Sequence, residues 1–357
     1  MDWDEIFGCN MRVRDKRDYP GGSIVRFEHR SRVLLDNPWG DPDVREVAVY
    51  LPHDYRESGE PFIALWDLAA YTNSGPGHLN WSNQGENLVE RLDRLVAEGR
   101  LPSTVVVIPD CYTSLGGNQY VNSPSLGRYA DYLVEELVPF VGDHLNVVDS
   151  RDGRGLFGKS SGGYGALYHA IHYPETWGAA ASHAGDAGFE LVYQPEFPVV
   201  CSVLDSFEGD AAAFIRSFWR KNRPGGRDYS AMMILAMAVS YDPDPEAPER
   251  IRLPFELRTC ELITARWRQW LSFDPVNMVE TGAEALKSLH GLYIDVGVHD
   301  QYNIQYGSRR MVDRCDQLGI DYHYEEFDGT HSAIDWRLDH SLPFLVTALK
   351  NALKGAI

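Results

Sequence analysis

A chain of 357 residues, 44% of them apolar, can bury a full core, which excludes a disordered chain and is compatible with one large α/β domain or two smaller ones. A formal net charge of −19, with no basic run interleaved with aromatics, repels a phosphate backbone and argues against a nucleic-acid partner. The start, Met1-Asp2-Trp3-Asp4-Glu5-Ile6-Phe7-Gly8, is acidic and lacks the basic and apolar segments of a secretory signal, and no apolar run approaches the roughly 20 residues of a membrane span. Cys9, Cys111, Cys201, Cys260 and Cys315 show no Cys-x-x-Cys spacing, which argues against a zinc site and a disulfide framework. The expectation is a soluble, cytoplasmic protein without metal or cofactor and without membrane contact; the oligomeric state stays open.

In chain order, Ile24-Val25-Arg26-Phe27 and Val44 to Leu51 carry the alternation and β-branched content of strands, separated by the turn-forming Asp36-Asn37-Pro38, and read as an antiparallel edge. Phe62 to Trp66 and Thr104 to Ile108 are continuous apolar runs, as expected of central parallel strands buried on both faces. Between them Asn87 to Ala97 places Leu88, Val89, Leu92, Leu95 and Val96 at helical spacing and stops at Gly99. A second helix runs from about Leu126 to Val141, where Pro139 should kink it. Gly155-Leu156-Phe157 is a short strand followed by a helical face of Ala166, Leu167, Ala170 and Ile171. Gly178 to Ser182, Leu292 to Val296 and Tyr322 to Phe327 follow as strands, with a closing helix from about Ala333.

Residues 187–290 exceed what a crossover between two strands needs, and read as an inserted helical cap within a single domain spanning 1–357. The cap carries Trp219, Trp267 and Trp270 as an aromatic wall for a bulky substrate, with packing onto the sheet as the competing role for Trp267 and Trp270, which stand at helical spacing. Alternating strands and helices imply an α/β fold: a mostly parallel sheet with helices on both faces, whose ligands bind at the carboxyl ends of the strands.

Gly158-Lys159-Ser160-Ser161-Gly162 matches G-x-S-x-G, a nucleophile on a tight turn between strand and helix, where strained backbone requires small neighbours and the new helix aims N–H groups at a reacting carbonyl. The same letters spell a rival. Gly153 to Ser160 is a literal G-x-x-x-x-G-K-[ST], in which Lys159 would reach phosphates and Ser160 would hold magnesium. Against this nucleotide-binding alternative, Leu156 and Phe157 would lie in an open loop, and Val148-Asp149-Ser150-Arg151-Asp152 is too polar for the central strand that such a loop follows.

A serine hydrolase of the α/β-hydrolase fold also needs an acid and a histidine, in that order, at later strand ends. Asp300, in Gly297-Val298-His299-Asp300, and His331, in Asp328-Gly329-Thr330-His331, meet that need. Asp295 lies inside its strand and Asp274 precedes Pro275, so position favours Asp300; for His331 the competing role is to cap the following helix. At Gly158 to Leu167, Ile294 to Tyr302 and Asp328 to Ser332 the sequence resembles the esterase family that includes esterase D (S-formylglutathione hydrolase), ferulate esterases and mycolyltransferases. Val106-Val107-Ile108-Pro109-Asp110, Tyr120-Val121-Asn122-Ser123-Pro124 and Glu135-Glu136-Leu137-Val138-Pro139 are similar to the intervening segments.

The expected activity is cleavage of a carboxylic ester or related acyl bond of a small molecule through an acyl-enzyme, with acyl transfer or peptide cleavage as variants of the same chemistry. Ser160 attacks, His331 is the base and Asp300 orients it. The oxyanion is expected at the backbone N–H of Ser161 and of Leu68 or Ala69, in the turn Asp67-Leu68-Ala69-Ala70-Tyr71, where related families usually carry His-Gly or Asp-Gly. His183 and Asp186, after the next strand, and His78 and Trp81, beyond the oxyanion turn, are candidate substrate contacts; satisfaction of loop backbone groups, or an exposed loop aromatic, is the competing role.

Overall fold

The computed structural model describes residues 19–355 except 245, 248 and 249; the acidic stretch Met1–Gly8 and Cys9 lie outside them. Eight strands form one sheet: β1 (Ser23–Arg30), β2 (Val44–Leu51), β3 (Ala64–Leu68), β4 (Val105–Pro109), β5 (Arg154–Lys159), β6 (Ala179–His183), β7 (Gly291–Gly297) and β8 (His323–Phe327). Their spatial order is β1-β2-β4-β3-β5-β6-β7-β8. β1 and β4 flank β2 antiparallel, and every other pairing is parallel, so the antiparallel edge and parallel centre expected from the sequence are both present. β3 starts at Ala64 rather than at Phe62, which instead makes an isolated bridge with Val147.

The continuous apolar runs arise because the central strands are covered on both faces. Leu65, Val106 and Phe157 point to one layer, where Leu92 and Leu95 meet Leu342, Leu345, Val346 and Leu349. Trp66, Val107 and Leu156 point to the other, against Tyr164, Leu167 and Trp177. The helix Leu88–Ala97 opens on a capping box, Asn87 and Glu90 exchanging side-chain-to-backbone bonds of 2.8 and 3.1 Å, and closes before Gly99 at φ +68°.

Where the sequence predicts a kink at Pro139, the helix changes its hydrogen bonding. Residues Tyr132–Leu137 are π-helical and Val138–His144 are α-helical, with the Val138 N–H reaching back to the Leu133 carbonyl. Pro139 has no N–H to give, and the wide turn before it absorbs the missing bond. The closing helix begins at Leu338 rather than near Ala333, after a short 3₁₀ turn at Asp335–Arg337.

Between β6 and β7 the chain forms the helices Phe189–Val192, Phe197–Asp205, Ala211–Arg220, Gly226–Tyr241, Thr264–Leu271, Pro275–Thr281 and Ala283–Lys287. Trp270 is fully buried and Trp267 nearly so, and both rings pack on Phe197, with Trp270 also against Tyr193 and Tyr241. These two tryptophans are packing rather than a substrate wall. Trp219 is exposed, with its indole N–H on the Ser114 carbonyl at 2.7 Å. Among the described residues no helix is long and apolar enough to cross a membrane.

Candidate active site

Ser160 stands between β5 and the helix Ser161–His172 at φ 55°, ψ −122°, a backbone conformation that costs a non-glycine residue about 1–3 kcal/mol. The surroundings hold it there. Its N–H donates to the His183 carbonyl at 2.9 Å and its own carbonyl accepts from the Tyr164 N–H at 2.8 Å. The two flanking glycines are required by contact rather than by dihedral: a Cβ on Gly162 would stand 1.9 Å from the Leu68 carbonyl oxygen, and one on Gly158 would stand 2.4 Å from the Gly162 backbone. The end of β3 therefore lies directly against the first turn of the helix. That puts Leu68, opposite Gly158 in the sheet, and Ala69 beside Ser160. Ser161 opens the helix, where backbone N–H groups have no partner within the helix itself.

The same strand explains why the phosphate-loop match is coincidental. Residues Arg154–Lys159 are extended between β3 and β6, with Leu156 and Phe157 buried, and cannot wrap a phosphate. Lys159 is turned to Asp335, at 3.6 Å.

Parallel pairing of β7 with β8, Gly297 opposite Phe327, brings the turns after them together. Asp300 and His331 meet there: the imidazole Nδ1 and Asp300 Oδ2 are 2.7 Å apart. Asp300 Oδ1 accepts from the Tyr302 N–H at 2.8 Å, Gln301 Oε1 accepts from the His331 N–H at 3.0 Å, and the Tyr302 ring stands edge-on to the imidazole. The carboxylate is buried and the imidazole largely so. The competing acids are committed elsewhere. Asp295 lies opposite His183 in the sheet and binds it at 2.7 Å while accepting from Arg337 Nε at 2.7 Å; Asp274 accepts from the backbone of Gly188, Phe189 and Val276.

The Ser160 hydroxyl donates to Asp186 Oδ1 at 3.3 Å rather than to the imidazole. Asp186 is buried just past β6, and its Oδ2 accepts from Ser161 Oγ at 3.3 Å and from the Tyr193 hydroxyl at 2.8 Å; Gln119 Nε2 donates to Ser161 Oγ at 2.7 Å. Burial pushes the Asp186 carboxyl above the usual carboxylate range, opposed by the Tyr193 hydroxyl, by the charge of His331 and by the two serines. Asp186 is thus in direct contact with Ser160.

The other expected substrate contacts divide. His183 is turned inward, with Nδ1 on Asp295 and Nε2 on Ser341 Oγ at 2.8 Å, so its polar atoms serve the protein and its backbone serves Ser160, contrary to the expectation of a substrate contact. His78 is paired with Asp67 near the end of β3; burial works against its charged form, but Asp67 outweighs this and holds the imidazole pKa above its ordinary value. Trp81 is exposed. His78 and Trp81 share a pocket of about 280 Å³ with Asp67, Arg91, Lys159 and Asp335, and Asp186 does not line it. Gln119, Tyr193 and Tyr302 belong to the site and were not singled out by sequence; only Tyr302, two residues after Asp300, stood inside a motif. Among the described residues no group of three or more His, Cys, Asp or Glu side chains could hold a metal ion.

Residues 42–342 match the model of the Esterase family, described as "Putative esterase". The chain belongs to the Esterase family. A curated relative, Esterase Rv1288 of Mycobacterium tuberculosis, is 30% identical over 148 residues, 40% of this chain and 29% of the relative. The curated relatives it matches are longer than the matched part: the chain spans 58% and 29% of their lengths. Among solved structures, a ferulic acid esterase is similar with a TM-score of 0.58 at 18% identity, over 93% of this chain and all of that one. S-formylglutathione hydrolase FrmB of Staphylococcus aureus is similar with a TM-score of 0.54 at 14% identity, over 92% and 98% of the two chains. The fold of this Esterase-family chain is the α/β-hydrolase fold that these structures share.

Proposed function

We propose that this chain is a serine hydrolase that cleaves a carboxylic ester, thioester or related acyl bond of a small molecule through an acyl-enzyme on Ser160. The observation that carries the reading is the strained Ser160 turn after β5 and the buried Asp300–His331 pair after β7 and β8, all at the same ends of parallel strands in one sheet. Membership of the Esterase family supports it.

In this reaction the Ser160 hydroxyl swings from Asp186 towards His331, whose Nε2 is free to accept because Nδ1 donates to Asp300. Oγ attacks the acyl carbonyl while its proton passes to Nε2. The carbonyl oxygen becomes an oxyanion held by the N–H groups of Ser161 and of the Leu68–Ala69 turn, each donor being worth about 3 kcal/mol in comparable enzymes. Collapse breaks the bond to the leaving group, which takes the proton from Nε2. Water then attacks the acyl-enzyme, gives its proton to His331, and the carboxylic acid leaves as Ser160 recovers its hydrogen. Asp300 keeps the imidazole tautomer correct and stabilises the imidazolium without taking its proton.

Residues 187–290 act in this proposal as a cap that delivers Tyr193 to Asp186. The free cysteines 111, 201, 260 and 315 fit a reducing compartment such as the cytoplasm. The test is hydrolysis of short 4-nitrophenyl esters by the wild type and Ser160→Ala. A loss of at least about 10⁴-fold in kcat is expected; wild-type rates in the alanine variant contradict the proposal.

A further inference from the structure

Asp186 touches the Ser160 hydroxyl but has no part in the reaction just described, and its two oxygens are served unequally. Oδ2 is held by Ser161 and Tyr193, two buried hydroxyls that take no part in the chemistry. The donor recorded for Oδ1 is the Ser160 hydroxyl, at 3.3 Å, the long end of hydrogen bonding. That donor is lost during turnover: the hydrogen must leave Oδ1 for His331, and in the acyl-enzyme Oγ is an ester oxygen with no hydrogen at all. A buried carboxylate oxygen stripped of its donor is unfavourable unless something replaces it.

Of the groups that arrive, the acyl group is the one tied covalently to Oγ, and so stays beside Asp186 for the lifetime of the acyl-enzyme. A substituent on the carbon next to the acyl carbonyl lies three bonds from Oγ and can reach an acceptor that Oγ itself reaches. We infer that Asp186 is a specificity-determining residue that selects acyl groups carrying a hydrogen-bond donor, an ammonium or a hydroxyl, on the carbon next to the scissile carbonyl. The substrates are then 2-aminoacyl or 2-hydroxyacyl esters or thioesters, whereas a plain alkyl acyl group sets C–H against the carboxylate. This rests on the Ser160 reading above.

The test uses three acyl groups of equal size on one leaving group: the 4-nitrophenyl esters of propionate, 2-hydroxypropionate and alanine, with each kcat/KM divided by that ester's uncatalysed hydrolysis rate. The wild type is expected to favour the hydroxy or the amino ester over propionate by about tenfold or more, as one hydrogen bond to a charged group provides, and Asp186→Asn to bring that ratio down towards unity. Which of the two is favoured tells whether the donor is an ammonium or a hydroxyl. Equal or better use of propionate by the wild type overturns the inference, as does a preference that survives in Asp186→Asn.

If that variant does not fold, the wild type alone decides through the inhibition constants of 1-aminoethylboronic, 1-hydroxyethylboronic and ethylboronic acids. Tighter binding of a donor-bearing boronate supports the assignment, and equal binding overturns it. A protein labelled on Ser160 by a fluorophosphonate but indifferent among the three esters sinks this inference alone. A protein that takes up no fluorophosphonate and turns over none of them sinks the serine-hydrolase reading too.

Discussion

Replacement of Asp300 by Asn keeps the shape of the site and reverses one hydrogen bond. In the native protein Oδ1 accepts from the Tyr302 N–H at 2.8 Å and Oδ2 faces His331 Nδ1 at 2.7 Å. Asparagine can keep the first contact with its carbonyl oxygen, which leaves its NH₂ group facing Nδ1. The imidazole then takes the other tautomer, Nδ1 accepting and Nε2 protonated, and Nε2 has no lone pair to take the Ser160 proton. The lost imidazolium stabilisation adds to this. Together the expected fall in kcat is about 10⁴-fold, roughly 5–6 kcal/mol of barrier at 1.36 kcal/mol per tenfold. Since the shape is retained, the melting temperature should move little. Asp295→Asn is the contrasting variant: it weakens the buried contacts to His183 and Arg337, so it should cost stability on the order of 3–5 kcal/mol by thermal or denaturant unfolding. A folded Asp300→Asn protein that hydrolyses 4-nitrophenyl esters within about tenfold of the wild type refutes the role given to Asp300.

Gly162→Ala places a methyl 1.9 Å from the Leu68 carbonyl oxygen, so the turn after β3 must retreat; unfolding should show a loss of about 1–3 kcal/mol, and kcat should fall with it. His78 has a folded-state pKa raised above 6.5, so its pairing with Asp67 stabilises the fold fully below that value and the contribution is lost as pH rises through the higher folded-state pKa. His78→Ala should therefore lower the melting temperature at pH 5.5 more than at pH 9; an equal loss at both would contradict the pairing.

The sheet was readable because its central strands are continuous apolar runs bounded by turn residues, and the helix between two of them because its apolar residues recur at helical spacing and stop at Gly99. Ser160, Asp300 and His331 could be named for a related reason: each lies just past a recognisable strand, so position along the chain stands in for position in space. The rest of the site depends on pairings that periodicity does not carry. Nothing near Tyr193 announces that its hydroxyl will end on Asp186, since that contact depends on how the helices after β6 settle. His183 looked available as a residue at a strand end, but its register opposite Asp295 turns its ring into the protein. The phosphate-loop match failed for a physical reason too: eight residues fit the letters, whereas the sheet needs six of them extended.

Covalent trapping decides whether Ser160 is the nucleophile. Treat the intact protein with a fluorophosphonate, weigh it and map the adduct by peptide mass spectrometry. A single adduct is expected on the peptide bearing Ser160, absent from Ser160→Ala and much slower to form in His331→Ala. An adduct on another residue, or equal labelling of Ser160→Ala, would contradict that role.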